Sequence, residues 1–227
     1  MMRLYHWTLD PASRFARLVL GEKGIEAELV DTPTWTSDRD TQGAIAKLAP
    51  GAQIPALVDN GADGRVVAIG PLAIVGHLED ACPTPRLAPH TRQDRAEANR
   101  LWEWIDARLT QVDQTLLADR VGQWVRRSQP DSQAMRTGAH ALRGHMTFLN
   151  ALAETRPYLA GRTMTIADLA CAARMSAYDY FGDVDWDSAP DLKAWYGKIK
   201  SRPSFRALLN DRIEGARPAP NYGDLDF

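Results

Sequence analysis

The stretch Ala49-Pro50-Gly51-Ala52-Gln53-Ile54-Pro55-Ala56-Leu57-Val58-Asp59 decides how the first part of the chain is read. Its second half is a short apolar run that opens at a proline. Proline has no backbone N–H, so it suits the first position of a strand and not its interior. An X-Pro bond is also the one peptide bond that adopts the cis form at low cost, so Ile54-Pro55 is expected to be cis and to turn the chain into the strand. Asn60-Gly61 to Gly64 is turn chemistry, residues 66–69 are a further apolar run, and residues 72–78 carry helical spacing.

Upstream of that stretch, residues 2–7 form a short apolar and aromatic run that stops at Asp10-Pro11. Proline favours the first helical position, and Phe15, Leu18, Val19 and Glu22 then follow three-to-four spacing until Gly24 closes the helix. Residues 26–30 read as a second strand, and a polar loop over 31–40 leads to a short helix ending at Leu48. The order β-α-β-α-β-β-α makes residues 1–82 a thioredoxin-like sheet carrying helices. Residues 83–90 are a proline-rich linker, and residues 91–210 are helical throughout. One long helix is expected over 91–119, with Leu101, Trp104, Ile105, Leu109, Val112 and Leu116 on its core stripe. A second runs to about Glu154, a third starts at a capping box on Thr165 and Asp168, and residues 211–227 form an extended tail. The fold class is therefore α/β followed by all-α.

Bulk composition excludes several functions. The 227 residues are 44% hydrophobic and 25% charged, which is globular composition. A formal net charge of -2 gives no electrostatic case for nucleic acid or for an anionic membrane as the main partner. No run approaches the roughly 18 apolar residues of a membrane span, and no export signal opens the chain, so a cytoplasmic protein is expected. The two cysteines, Cys82 and Cys171, stand far apart outside any metal-type cluster and read as inert packing.

Six landmarks carry a resemblance. They are Arg3-Leu4-Tyr5 with Arg14 and the run 17–24; Ala49-Pro50 with the run 54–59; Ala73-Ile74 with Leu78-Glu79; Leu159-Ala160-Gly161; the run 165–169; and Trp195 with Arg202-Pro203. In this order they resemble the glutathione-transferase family over residues 2–210. The resemblance implies a thioredoxin-like N-terminal domain and a helical C-terminal domain. It also implies a serine, cysteine or tyrosine near the start of the first helix that serves a thiol, where this chain has Asp10-Pro11-Ala12-Ser13. Ionised aspartate is acceptor-only, so Asp10 cannot donate to a thiolate, and it reads instead as an N-cap. Ser13 is expected inside the first turn as a poor substitute, while His6 near the strand end stays open. The family's anchor for the γ-glutamyl group is usually an acidic residue or glutamine followed by serine or threonine. Here the corresponding pair is Gly70-Pro71. Each lost charge-assisted hydrogen bond is worth roughly 1.5 to 3 kcal/mol, so losing both lowers affinity on the order of a hundredfold or more. What remains of the pocket is the main chain of Ile54 before Pro55. No catalytic residue, metal or cofactor is assigned, and glutathione binding is expected to be absent or very weak.

The run 3–14, the loop around Trp35 and the end Asp224-Leu225-Asp226-Phe227 are similar to a branch of glutathione-transferase-like division proteins in alpha-proteobacteria. That resemblance implies a homodimer that binds filaments of the tubulin-like GTPase FtsZ at the division site, alters their architecture and supports constriction. Trp35 and the tail residues Asp224, Leu225, Asp226 and Phe227 are the expected protein-binding surface. In an extended tail Leu225 and Phe227 point one way and the two aspartates the other. Alternatively the tail packs back over the cleft with Trp35 beneath it. The rival function is a glutathione-dependent transferase or reductase with an unusual active site, and a third reading is a stress-response binding protein using the same cleft.

Overall fold

The computed structural model describes residues 1–33, 39–62, 64–118, 120–121 and 131–225. They fall into two units, Met1–Arg86 and Leu87–Phe227, with the break inside the proline-rich stretch.

The first unit runs β1 (Met2–His6), α1 (Pro11–Glu22), β2 (Ala27–Asp31), α2 (Arg39–Ala46), β3 (Ala56–Gly61), β4 (Gly64–Ile69) and α3 (Pro71–Ala81). The four strands lie in the order β2-β1-β3-β4. β1 and β2 are parallel because α1 carries the chain back to the same end, whereas β3 and β4 are a hairpin antiparallel to β1. The Ile54-Pro55 bond is cis, as its sequence predicts, and the strand begins just after it. Leu4 and Leu57 sit opposite each other in the register, both fully buried. Phe15, Leu18 and Val19 bury the inner face of α1, and Gly24 beyond its end adopts φ +64°, a conformation that favours glycine. Next to it, the buried Lys23 ammonium donates to the carbonyls of Cys82 and Pro85 and pairs with Glu79 at 2.8 Å. That places the end of α1 against the end of α3.

The second unit is built from α4 (Arg92–Val112), α5 (Ser132–Thr155), α6 (Ile166–Tyr180), α7 (Pro190–Lys200) and the short α8 (Arg206–Leu209). Every residue of α6 is buried, and its run of Ala, Cys and Ser lets neighbouring helices approach on all sides. Its start has the expected capping box on Thr165 and Asp168. The fully buried Asp168 carboxylate also accepts from the Leu159 amide at 2.8 Å and the Trp195 indole at 3.0 Å, joining three segments. Burial pushes its pKa up, while these donors oppose the shift.

The long helix differs from its sequence reading. α4 gives way at Asp113 to a π-helical turn, Asp113–Leu117. The extra residue in that turn brings Asp113 to where the Tyr178 hydroxyl donates to its carboxylate and the buried Arg174 guanidinium lies 3.4 Å away. The stripe that faces the core is Ala98, Leu101, Trp102, Ile105, Leu109 and Val112. Trp104, expected on that stripe, is instead half-buried against Phe148 and His145 of α5.

Candidate functional site

The sheet register gathers the predicted pocket residues. Tyr5 pairs with Ala56, and Ala56 with Ile69, so the end of β1, the start of β3 and the end of β4 share one end of the sheet. From that end emerge the loop to Asp10, the Ile54-Pro55 turn and Gly70-Pro71. The Gly70 amide donates to the Pro55 carbonyl at 2.9 Å, locking two of the three together.

Each side chain there has a local task. Asp10 is the N-cap of α1, its carboxylate accepting from the Ser13 amide at 2.7 Å. That arrangement satisfies one of the helix's unpaired donors and places a negative charge at the positive end of the helix dipole. Ser13 is fully buried, and its hydroxyl oxygen accepts from the Trp7 amide at 3.1 Å. His6 is buried within β1, its carbonyl accepting from the Thr32 amide. Gly70 caps α3 with φ +85° and no side-chain hydrogen bond, and Pro71 occupies the first turn. A Cβ at Gly70 would meet nothing within 4 Å, so the space for an anchoring side chain exists but the backbone conformation disfavours one.

Two positions bear on a glutathione-type ligand. A thiolate needs a donor, and Asp10 can only accept while Ser13 is sealed inside the first turn. An ammonium needs an acceptor side chain, and Gly70-Pro71 offers none. Among the described residues no group of three or more His, Cys, Asp or Glu side chains could hold a metal ion, and no helix is long and apolar enough to cross a membrane.

The sequence profile of the glutathione S-transferase N-terminal domain matches residues 11–81, and that of the C-terminal domain matches residues 122–212. The chain belongs to the glutathione S-transferase family. Within this family it is 40% identical over 226 residues to the FtsZ-localized protein A of Caulobacter vibrioides, a likeness that covers 99% of this chain and 97% of that one. The solved structure of FzlA from C. crescentus superposes with a TM-score of 0.93 at 39% identity, covering 100% of this chain and 99% of that chain. A glutathione S-transferase from Rhodospirillum rubrum superposes at 0.88 with 36% identity, each chain covered fully.

Of the expected binding residues in this family member, Trp35, Asp226 and Phe227 lie outside the described residues. Asp224 and Leu225 are exposed. The approach to them is not the continuous extended segment that its prolines suggest. Residues 219–224 fold into turns, with the Tyr222 amide donating to the Ala219 carbonyl and the Asp224 amide to the Asn221 carbonyl. Tyr222 is the reason: its ring is buried in the second unit and its hydroxyl donates to the Leu208 carbonyl at 2.8 Å. Beside it Lys200, also fully buried, pairs with Asp179 at 3.2 Å. Burial pushes the Lys200 pKa down, with Asp179 and then Asp224 opposing that shift. Sequence reading passed over both residues. The available signal was a lone aromatic inside a Pro- and Gly-rich stretch, where a flexible tail has no use for one.

Proposed function

We propose that this protein is a non-enzymatic cell-division protein that binds FtsZ filaments and regulates their architecture and constriction, acting in the cytoplasm at the division site as a homodimer. The observation that carries the reading is the 40% identity along 99% of the chain to a protein named for its localisation with FtsZ. The chemistry of the family pocket supports the non-enzymatic half. Asp10 and Ser13 are committed to the start of α1, Gly70-Pro71 supplies no partner for the γ-glutamyl group, and no cofactor is required. The binding surface is Trp35 together with Asp224, Leu225, Asp226 and Phe227. Its acidic and apolar character suits a basic, partly apolar patch on the filament. Co-sedimentation with GTP-assembled FtsZ tests this. The wild-type protein should pellet with filaments, and Asp224→Lys and Trp35→Ala should each abolish pelleting while leaving the melting temperature nearly unchanged. A wild-type protein that stays in the supernatant overturns the reading.

The second reading, a glutathione-dependent transferase or reductase, is favoured by the 36% identity to a solved protein described as a glutathione S-transferase. Calorimetric titration with millimolar glutathione separates the two. No binding and no conjugation to a generic electrophile are expected, whereas tight binding, or turnover lost on replacing Ser13, would put the enzyme first.

A further inference from the structure

The segment that leads to Asp224 is fastened at several points to the second unit. Tyr180, at the end of α6, brackets it. Its hydroxyl accepts from the Ile213 amide at 3.3 Å and donates to the Ala216 carbonyl at 2.8 Å, and its carbonyl accepts from the Ala219 amide at 2.7 Å. Ala219 is seated against Gly182, where an added Cβ would come within 3.3 Å. The Tyr222 ring then meets the Tyr180 ring edge-on at 5.1 Å. Finally, the Lys200 ammonium lies over the rings of Tyr196 and Tyr222 at 5.6 and 5.8 Å and reaches the Asn221 carbonyl at 3.5 Å. A buried ammonium needs its charge compensated from several sides. Here the Asp179 carboxylate and the Tyr196 ring supply part of that compensation, and the arm itself supplies the rest.

We infer that Tyr222 and Lys200 are positioning residues that clamp residues 213–223 so that Asp224 and Leu225 are presented to the partner at one fixed place. This rests on the FtsZ-binding reading above and deepens it. The physical gain is preorganisation. A free tail must lose its chain entropy on docking, whereas a clamped arm has lost it on folding, so the same contacts yield tighter binding. Leu225, exposed at 45% immediately after the clamp, is the apolar tip that this arrangement holds out.

The test uses the full chain. Tyr222→Ala should speed hydrogen exchange at the Ala219, Tyr222 and Asp224 amides and weaken FtsZ binding roughly tenfold, with every proposed contact residue intact. Tyr222→Phe, which keeps the ring and loses only the hydroxyl, should bind within about twofold of wild type. If Tyr222→Ala frees those amides and still binds as wild type while Asp224→Lys does not, positioning is overturned and the partner reading stands. If Asp224→Lys itself binds as wild type, the arm is not the contact surface and the positioning role falls while FtsZ binding stands; wild-type protein that does not bind FtsZ overturns both. Should Tyr222→Ala melt the whole unit, Tyr222→Leu replaces it. Leucine refills most of the space but can neither donate to Leu208 nor cover Lys200, and wild-type FtsZ binding by that folded variant overturns the clamp.

Discussion

Asp10 has a simple physical role, and its neighbours limit what replacing it can achieve. Its carboxylate caps α1, and removing an N-cap of this kind costs about 1 kcal/mol. Asp10→Ser keeps a capping oxygen and adds a hydroxyl donor where the family places its thiol partner. We expect this variant to melt close to wild type and still show no glutathione binding by calorimetry, because Gly70-Pro71 leaves the ammonium of the ligand unpaired. A gain of binding would mean that the first helix alone decides the pocket. Glu97 gives a pH prediction of known sign. Arg100 and, more weakly, Arg156 hold its carboxyl down to about 2, with salt bridges of 2.7 Å to each. A carboxylate depressed on folding contributes stability above its unfolded pKa and loses it as the pH falls through its folded value. The melting-temperature gap between wild type and Glu97→Gln should therefore be widest above about pH 5 and close between pH 5 and pH 2. A gap that does not change with pH would show that these partly exposed arginines contribute no net charge effect. At this scale the sequence was informative where the pattern is local. Asp10-Pro11 and the Thr165–Asp168 capping box are legible because cap chemistry involves only residues within one turn.

Elements were legible in type and less so in their interruptions. The order of strands and helices in the first unit follows from apolar runs punctuated by Gly and Pro. The third strand begins only at Ala56 because Ile54-Pro55 forms the turn before it. The π turn was not legible, because nothing in a 3.6-residue period marks where one residue is added. Its cause is tertiary: Asp113 is drawn to Tyr178 and Arg174 of α6. The same blindness exchanged Trp102 and Trp104, which both satisfy an apolar stripe when its exact phase is free. The turn also constrains α5. Gly138 crosses it so closely that a Cβ would stand 2.8 Å from Leu116 Cβ and 3.0 Å from the Leu116 amide nitrogen. Alanine in a helix normally gains up to about 1 kcal/mol over glycine. Here overpacking against backbone should outweigh that gain, so Gly138→Ala is expected to destabilise by about 1 to 2 kcal/mol in urea unfolding. A stabilised variant would show that the crossing yields freely.

At the scale of the molecule, a homodimer needs a surface on which two copies can meet. The aromatic residues of α4 offer little free surface for this, since Trp102 is 6% exposed and Trp104 packs on α5 of its own chain. The first unit supplies a better case. Leu72 is 54% exposed at the start of α3, beside exposed Ala73 and Gly76, and Val66 on β4 is 42% exposed. Small residues flanking a large exposed leucine allow a second helix to come close and bury that leucine. We therefore predict a two-fold homodimer through α3, with light scattering returning twice the 25.2 kDa of one chain at micromolar concentration. Leu72→Glu should return the single-chain mass without lowering the melting temperature of the monomer by more than a few degrees, because that side chain is already in water when the chain is alone. Wild-type protein that scatters as 25.2 kDa under the same conditions would dispose of the dimer. The oligomeric state then has a consequence for filament binding. A filament repeats its subunit, so a dimer carries two arms to neighbouring sites, and the second contact forms at a high effective concentration. Leu72→Glu should thus bind unassembled FtsZ subunits as wild type does, yet co-sediment with filaments roughly tenfold or more weakly. Equal loss toward subunits and filaments would place Leu72 in the partner surface itself rather than in the dimer.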